Sequence, residues 1–226
     1  MATTPRRRIP EAAISRLPVY LRILSELEAE EVERVSSDEL AELAGVNAAK
    51  VRKDLSYLGS FGTRGVGYEV KFLTYQIQRE LGLNHTWNVV IVGAGNLGQA
   101  LANYGGIIQR GFTVAAVVDN DQSKVGTEVG GVRVRHVDEL AQLTQAKDIS
   151  IGIIATPAQH AQAAADVLVK AGIGSILNFA PTVLSVPRTV NVRKVDMALE
   201  LQILSYYEQL RREARGDNPS EQPASA

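Results

Sequence analysis

Near the middle of the chain, six residues have the type and spacing of a loop that holds a diphosphate. They match G-x-G-x-x-G and are Gly93, Ala94, Gly95, Asn96, Leu97 and Gly98. In this pattern the first glycine allows a tight turn, the second lets the backbone approach a pyrophosphate, and the third lets a helix pack against a strand. The motif directly follows the apolar run WNVVIV and opens a helix-like segment, which is the context that a dinucleotide site requires.

A carboxylate stands where such a site contacts ribose. Asp119 ends the run FTVAAVVD, about 20 residues beyond the last glycine, where an acidic side chain accepts hydrogen bonds from ribose hydroxyls and repels a 2′-phosphate. We therefore predict that the cofactor is NAD(H) rather than NADP(H). Two later strand ends, at Thr156 and Pro157 and at Asn178 and Ala180, should reach the same edge of the sheet, and we expect them to contact the nicotinamide half.

A dehydrogenase needs a general acid or base beside the nicotinamide. Of the three histidines, His160 is the candidate, because T-P-x-x-H resembles a segment of glucose–fructose-oxidoreductase-type dehydrogenases. Those enzymes also have a catalytic lysine where this chain reads NFAP, and a large substrate domain, whereas one helix and a tail follow Asp196. We therefore predict no catalytic residue and no enzyme, with His160 on a helix surface. An NAD-dependent dehydrogenase with an accessory helix-turn-helix is the alternative, and a CoA-binding type of Rossmann domain, which Asp119 disfavours, is a third.

The segments around these residues alternate between strand and helix. WNVVIV, FTVAAVVD, ISIGIIAT and GSILNF are short apolar runs typical of buried strands, and stretches such as 158–171 have helical character. This alternation predicts a parallel, doubly wound sheet, and hence an α/β protein with a Rossmann domain over residues 84–196.

Residues 1–83 predict a winged helix-turn-helix domain. Ser36 and Glu39 form a capping box that starts one helix, Gly45 ends it, and Asn47 caps a second helix, AAKVRKDLSYL. A short helix, a glycine-containing turn and a basic helix are typical of DNA-binding proteins. The glycine-rich stretch GSFGTRGVGYEV that follows cannot form a helix and favours a β-hairpin wing.

The net charge of −1 hides the basic character of this second helix. In its first turns, Lys50 and Arg52 can reach base edges in the major groove, whereas Lys53 is better placed for phosphate. Arg64 lies at the wing tip, where it could enter a narrow minor groove. Together with Asn47 at the cap, these residues are the predicted contacts with double-stranded DNA.

The last helix, predicted over residues 197–213, has two apolar stripes. Met197, Leu201 and Leu204 form one stripe. The other, on nearly the opposite side, consists of Leu199, Ile203, Tyr206 and Leu210. A terminal helix that packs only on its own domain needs one stripe, so the second stripe predicts a protein partner. Residues 214–226 have no apolar anchor and are predicted to be disordered.

The composition excludes several classes of protein. Hydrophobic residues make up 45% of the chain and charged residues 22%, and cysteine is absent, so the sequence is that of a globular protein without disulfides. Its apolar runs are shorter than the roughly 20 residues that cross a bilayer. We expect a cytoplasmic protein with no membrane contact and no metal site.

The order of five segments resembles that of the redox-sensing repressors called Rex. The segments are ISRLPVYLRILSEL, KVRKDLSYLGSFGTRGVGY, VGAGNLGQALANY, SILNFAP and VRKVDMALELQ, and the resemblance covers residues 9–212. It implies a homodimer that exchanges its last helix and binds an inverted-repeat operator when the cofactor site is empty or holds NAD⁺, while NADH releases the DNA. It also assigns Arg16, Tyr104 and Asp196 to a switch network between the domains, with Arg16 as an ionic partner of Asp196 in one form. We therefore predict a transcriptional repressor that senses the NADH/NAD⁺ balance.

Overall fold

The computed structural model describes residues 9–59 and 66–215. The chain divides into two compact units, Met1–Thr86 and Trp87–Ala226, and each is described by itself. Among the described residues, no helix combines the length and the apolar character needed to cross a membrane.

The first unit is mainly helical. Its helices are α1 Glu11–Ile14, α2 Leu17–Ala29, α3 Ser37–Leu43, α4 Ala48–Ser56 and α5 Val70–Glu80, and its strands are β1 Arg34–Val35 and β2 Tyr68–Glu69. The helices enclose one apolar core, in which the fully buried side chains include Leu17, Tyr20, Leu24, Leu40, Leu55, Leu73 and Ile77.

The predicted helix-turn-helix is confirmed as α3 and α4, and its local signals act as expected. The Ser36 hydroxyl accepts from the Glu39 N–H, and the Glu39 carboxylate accepts from the Ser36 N–H, so that the capping box is complete. The Asn47 side chain accepts from the Lys50 N–H at 2.8 Å and thereby caps α4. Between the helices, Gly45 has φ +64°, a conformation that glycine adopts without steric cost.

The predicted wing is described only at its ends, since residues 60–65, including Arg64, lie outside the described residues. At its C-terminal end β2 pairs antiparallel with β1, with Val35 opposite Tyr68. Strand β1 was not predicted from the sequence. Gly67 precedes β2 with φ +78°, and a Cβ there would lie 2.7 Å from the Val35 carbonyl oxygen, so this approach of the two chains requires glycine.

The second unit is a doubly wound α/β domain, as predicted. Its strands are β3 Trp87–Val92, β4 Phe112–Asp119, β5 Glu128–Val129, β6 Val132–His136, β7 Ile149–Ile154, β8 Ser175–Asn178 and β9 Asn191–Lys194. Its helices are α6 Asn96–Ala102, α7 Gly105–Ile108, a 3₁₀ turn Val137–Glu139, α8 Leu140–Ala146, α9 Ala158–Lys170 and α10 Met197–Arg215. The sheet order is β5-β6-β4-β3-β7-β8-β9, and all neighbouring strands are parallel except β5 and β6.

Apolar side chains cover both faces of this sheet. In β3, Val90 and Val92 join one core cluster together with α8 and α9, whereas Val89 and Ile91 join a second cluster. The buried part of this central strand, residues 89–92, is therefore apolar at every position, which explains the continuous run in the sequence. The strands β5, β6 and β9 were not named in the sequence analysis, because they are short and carry polar residues.

The register of the central strands creates the edge at which a site can form. Val92 is level with Val118 on one side and with Ile154 on the other. The residues that follow or end these strands, namely Gly93, Asp119 and Ala155, are thus brought to one edge of the sheet. In open α/β sheets this carboxyl edge is where ligands bind.

The last helix, α10, begins at Met197 as predicted and continues to Arg215, two residues beyond the predicted end. Every residue in it is exposed. The helix therefore presents its apolar residues to the outside of its own unit, among them Met197, Leu199, Leu201, Ile203, Leu204, Tyr206, Tyr207 and Leu210.

Candidate functional site

In the glycine loop after β3, two glycines are required by close backbone contacts and the third lies in open space. Gly93 has φ +107°, and a Cβ there would lie 2.7 Å from the Ala155 carbonyl oxygen. A Cβ on Gly98 would overlap the carbonyl oxygen of Gly93, so this glycine lets α6 approach the strand. At Gly95, by contrast, a Cβ would have no atom of the described residues within 4 Å. Gly95 thus leaves an open approach to the backbone, as expected where a diphosphate binds.

Asp119 lies beside this loop and is held by hydrogen bonds from three groups. Its Oδ2 accepts from the Ala94 N–H at 2.7 Å and from Lys124 Nζ at 3.3 Å, and its Oδ1 accepts from the Asp121 N–H at 2.9 Å. Burial raises the pKa of Asp119, but the N–H groups of Asp121 and Ala94 together with Lys124 lower it more, so that the pKa lies below its usual value. The carboxylate is therefore ionised at neutral pH and has lone pairs left for ribose hydroxyls.

A cavity of about 570 Å³ opens at this edge of the sheet, which is a usual size for a ligand site. It brings together five of the predicted cofactor residues, namely Gly93, Gly95, Asp119, Thr156 and Pro157. It also has lining residues that the sequence analysis did not assign to the cofactor, among them Asn120, Asp121, Lys124, Val137, His160 and Val167. The loop DNDQSK, with two carboxylates and a lysine directly after the strand, was the signal for the first of these.

Thr156 supplies a polar group that fits a bound ligand. Its Oγ1 is buried and has no hydrogen-bond partner among the described residues, and Thr156 lines the cavity. An unpaired buried hydroxyl is costly, and a polar ligand group could satisfy it. Together with the open backbone at Gly95 and the ionised Asp119, this hydroxyl shows that the residues present fit a dinucleotide.

Other predicted cofactor residues have structural tasks. Ala94 is buried and its N–H is bonded to Asp119, while Asn96 and Leu97 form the first turn of α6. Asn178 is also buried, and its Oδ1 accepts from the Ala180 N–H at 2.9 Å while its Nδ2 donates to the Thr182 carbonyl at 3.1 Å. This side chain fixes the loop after β8, whereas its contact with the nicotinamide stays a prediction.

His160 lies on the exposed surface of α9, as predicted, and there it lines the cavity. A place in the cavity was not predicted for it from the sequence. His136 is partly buried, and its Nδ1 lies 3.1 Å from the Asp138 carboxylate. This second histidine begins the 3₁₀ turn, where its side chain accepts from the Asp138 N–H.

The basic helix α4 presents the residues predicted to contact DNA. Asn47, Lys50, Arg52 and Lys53 are all exposed. Arg52 also donates from Nη1 to the Ser37 hydroxyl at 2.9 Å, which ties the two helices of the motif together. The buried face of α4 consists of Val51, Asp54 and Leu55.

Asp54 is a charged residue in the core of the first unit, and the sequence analysis did not identify it. Its carboxylate accepts from Arg16 at 2.6 and 2.8 Å and from the Tyr20 hydroxyl at 2.9 Å. The pairing with Asp54 raises the pKa of Arg16, and burial, followed by the hydrogen bond to Asp54, raises the pKa of Tyr20 to about 12. Helix α4 is thus joined by a bidentate ion pair to the residue that precedes α2, and by the Tyr20 hydrogen bond to α2 itself.

Two of the predicted switch residues have partners within their own units. Arg16 binds Asp54. Asp196 pairs with Lys194 at 2.9 Å and accepts from the Ala198 and Leu199 N–H groups at the start of α10. The switch network that the resemblance implies stays a prediction. Lys194 is the main reason why the pKa of Asp196 is lowered. Tyr104 is 59% exposed and precedes α7.

A helix-turn-helix unit and a dinucleotide-type α/β domain in one chain define a nucleotide-responsive DNA-binding protein. Comparisons with known proteins agree with both parts. Residues 84–182 match the family model of the CoA binding domain, and residues 8–56 match a model described as a DNA-binding protein N-terminus.

Curated relatives of similar length are redox-sensing transcriptional repressors named Rex. The chain is 61% identical to the one from Streptomyces coelicolor, over 91% of this chain and 80% of that protein. It is 51% identical to the one from Carboxydothermus hydrogenoformans, over 88% of this chain and 96% of that protein. The chain therefore belongs to the Rex family of redox-sensing transcriptional repressors, which confirms the predicted family.

Solved structures support the same conclusion. The repressor RSP in complex with β-NAD⁺ and operator DNA matches with a TM-score of 0.84 and 39% identity, over 93% of this chain and 99% of RSP. Its complex with β-NADH matches with a TM-score of 0.81 and 37% identity, over 96% of this chain and all of RSP. Since the named relatives are transcriptional repressors, the prediction of a regulator rather than a dehydrogenase is confirmed.

Proposed function

We propose that this chain represses transcription as a cytoplasmic homodimer whose affinity for operator DNA follows the NADH/NAD⁺ balance. The dimer binds an inverted-repeat operator when its nucleotide cavity is empty or holds NAD⁺, and NADH releases it. Residues 1–83 bind DNA, residues 84–196 bind the cofactor, and residues 197–213 form the exchanged dimer helix. The observation that carries this proposal is the cavity around Asp119 in the same chain as a capped, basic recognition helix.

The cavity explains how two redox forms of one cofactor could have different effects. The loop 93–98 would hold the pyrophosphate, Asp119 the ribose, and Thr156 and Pro157 the nicotinamide half. The bound cofactor supplies a nicotinamide ring that is cationic when oxidised and neutral when reduced. The cavity has apolar walls, formed in part by Val92, Val137, Ala164 and Val167. Such walls disfavour a cation, and a ligand shifts an equilibrium only through different affinities for two states.

In binding DNA, the exposed basic residues of α4 would have two different roles. Lys50 and Arg52 would read base edges in the major groove, and Lys53 would contact phosphate. Asn47 would hold the start of the helix, and Arg64 would enter the adjacent minor groove. Because the phosphate contacts release counterions, the affinity for operator should fall steeply with salt.

The homodimer rests on the exposed helix α10. Exposed apolar residues on both of its sides, such as Leu201 at 65% and Leu210 at 44%, are unusual for a monomer. An exchanged helix would cover them, and the twofold axis of the dimer requires an operator with two inverted half-sites.

We propose that Arg16, Tyr104 and Asp196 couple cofactor binding to DNA release. Arg16 is bonded to Asp54 of the recognition helix, so an exchange of its partner from Asp54 to Asp196 would act directly on that helix. Asp196→Ala should then shift the NADH concentration at which operator is half released. The matched control is Glu200→Ala, which removes another acidic residue from the first turn of α10 and should leave this midpoint unchanged.

The test of the proposed function is fluorescence anisotropy with a labelled inverted-repeat duplex, titrated with protein at fixed salt. NADH should weaken operator binding at least tenfold, whereas NAD⁺ should leave it within about threefold. Lys50→Ala and Arg52→Ala should weaken operator binding but not NADH binding, and the exposed Lys170→Ala serves as their control. An operator affinity that does not respond to NADH would refute the proposal.

A further inference from the structure

A lysine lies directly beside the carboxylate that we assign to ribose. Lys124 Nζ is 3.3 Å from Asp119 Oδ2 and 3.6 Å from Asp121 Oδ2. The side chain of Lys124 is 38% exposed and that of Asp119 13% exposed, and all three residues line the cavity. The ribose end of the cavity therefore contains a cation together with two carboxylates.

The backbone around Lys124 is fixed by local hydrogen bonds. The Lys124 N–H donates to the Asp121 carbonyl at 2.9 Å, and the Thr127 hydroxyl donates to the Lys124 carbonyl at 2.6 Å. Asp121 in turn accepts from the Ser123 N–H and hydroxyl at 3.0 and 2.6 Å. The backbone position of Lys124 is thus set by its own turn, and it does not depend on the ion pair with Asp119.

The charges at this end of the cavity decide which ribose can enter. With Asp119 and Asp121 ionised and Lys124 protonated, their sum is negative, and a 2′-phosphate is repelled. If the charge of Asp119 were removed, Lys124 would keep only the more distant and exposed Asp121 carboxylate. An ammonium group at a ribose site is a suitable partner for phosphate.

We infer that Lys124 is a second determinant of cofactor choice. Asp119 selects NAD(H) partly because it holds Lys124 in an ion pair, and without this pair the lysine would bind the 2′-phosphate of NADP(H). This inference rests on the proposed NAD(H) site. The selectivity for NAD(H) over NADP(H) therefore depends on the Asp119–Lys124 pair. One substitution at Asp119 should free Lys124 to bind a 2′-phosphate, with no other change to the site.

The experiment measures the dissociation constants of NADH and NADPH by calorimetry, on the full chain at fixed salt. Asp119→Asn should bind NADPH at least tenfold more tightly than the parent does, as expected for one gained charge-assisted hydrogen bond. Adding Lys124→Met to this variant should abolish the gain. Adding Lys170→Met, a lysine on the exposed surface at the end of α9, should preserve it.

Two further measurements keep the test independent of folding and of the proposed function. Asp119→Ser repeats it with a smaller side chain, and Lys124→Met alone should increase the NADPH/NADH ratio of dissociation constants, because the cation is lost. A parent that binds no NADH would refute the proposed function. If the parent binds NADH, two results would overturn the role of Lys124 alone. Either the variants at Asp119 gain no affinity for NADPH, or they keep the gained affinity when Lys124 is also replaced.

Discussion

The buried ion pair of the first unit offers the sharpest test of how the recognition helix is held. The change is Asp54→Asn, which keeps the size of the side chain but removes its charge. The side chain of Asp54 is 3% exposed and that of Arg16 is 25% exposed, so the substitution leaves a largely dehydrated guanidinium without its carboxylate. The Tyr20 hydroxyl loses its ionised acceptor at the same time.

The size of the effect follows from this burial. Removing one partner of a fully buried ion pair costs about 3–5 kcal/mol, since the remaining charge is left uncompensated. Arg16 is a quarter exposed and can recover some hydration, so we expect a loss of about 3 kcal/mol in the free energy of unfolding of this unit. A loss of this size corresponds to a factor of roughly 150 in the unfolding equilibrium.

The suitable assay is native-state hydrogen exchange of the backbone amides in α2 and α4. The single tryptophan, Trp87, belongs to the other unit, so the amides of α2 and α4 are the direct probes of this one. Protection factors of the slowest amides in α4 should fall about 150-fold in Asp54→Asn. Arg16→Met should have a similar cost, and the double variant should cost less than the sum.

A matched control is the exposed pair between Arg22 and Glu26, whose side chains are 64% and 68% exposed. Glu26→Gln should cost at most about 0.5 kcal/mol, because solvent screens such pairs. If Asp54→Asn lowered protection in α4 no more than Glu26→Gln does, the ion pair would not hold the recognition helix, and our reasoning would be wrong.

Three other predictions follow from the described contacts. Gly95→Ala should weaken NADH binding at unchanged thermal stability, since its Cβ meets no described atom. Gly98→Ala should lower both the NADH affinity and the melting temperature, because its Cβ overlaps the Gly93 carbonyl oxygen. Calorimetry and thermal unfolding would separate the two effects. The pKa of Tyr20 is raised to about 12, so its contribution to stability is present below pH 10 and lost as pH rises toward about 12; Tyr20→Phe should flatten this loss in urea unfolding at alkaline pH. Truncation before Met197 should give monomers in sedimentation, and a stable dimer would contradict the role of α10.

Local signals determined much of this protein. The capping box at Ser36, the cap at Asn47 and the glycine turn between the helices each act within a few residues, so the sequence alone located α3 and α4. The same holds for the glycine loop 93–98 and for Asp119, since the spacing between a strand, a turn and the next strand end is fixed by the Rossmann connection. Central strands such as β3 were also predictable, because their buried positions face apolar cores on both sides of the sheet and carry apolar residues in succession.

The tertiary structure decided what depends on partners distant in the chain. The strands β1, β6 and β9 are short and carry polar residues, so their composition does not indicate a strand. They are strands because they pair with neighbouring strands that are distant in the sequence or follow long connections. Asp54 looks like any charged residue of a basic helix until α2 brings Arg16 and Tyr20 to it across the core. Lys124 likewise acquires its role only where its turn meets Asp119 at the edge of the sheet. A sequence gives the charge of such groups, but their burial and their partners, which set their energies, exist only in the fold.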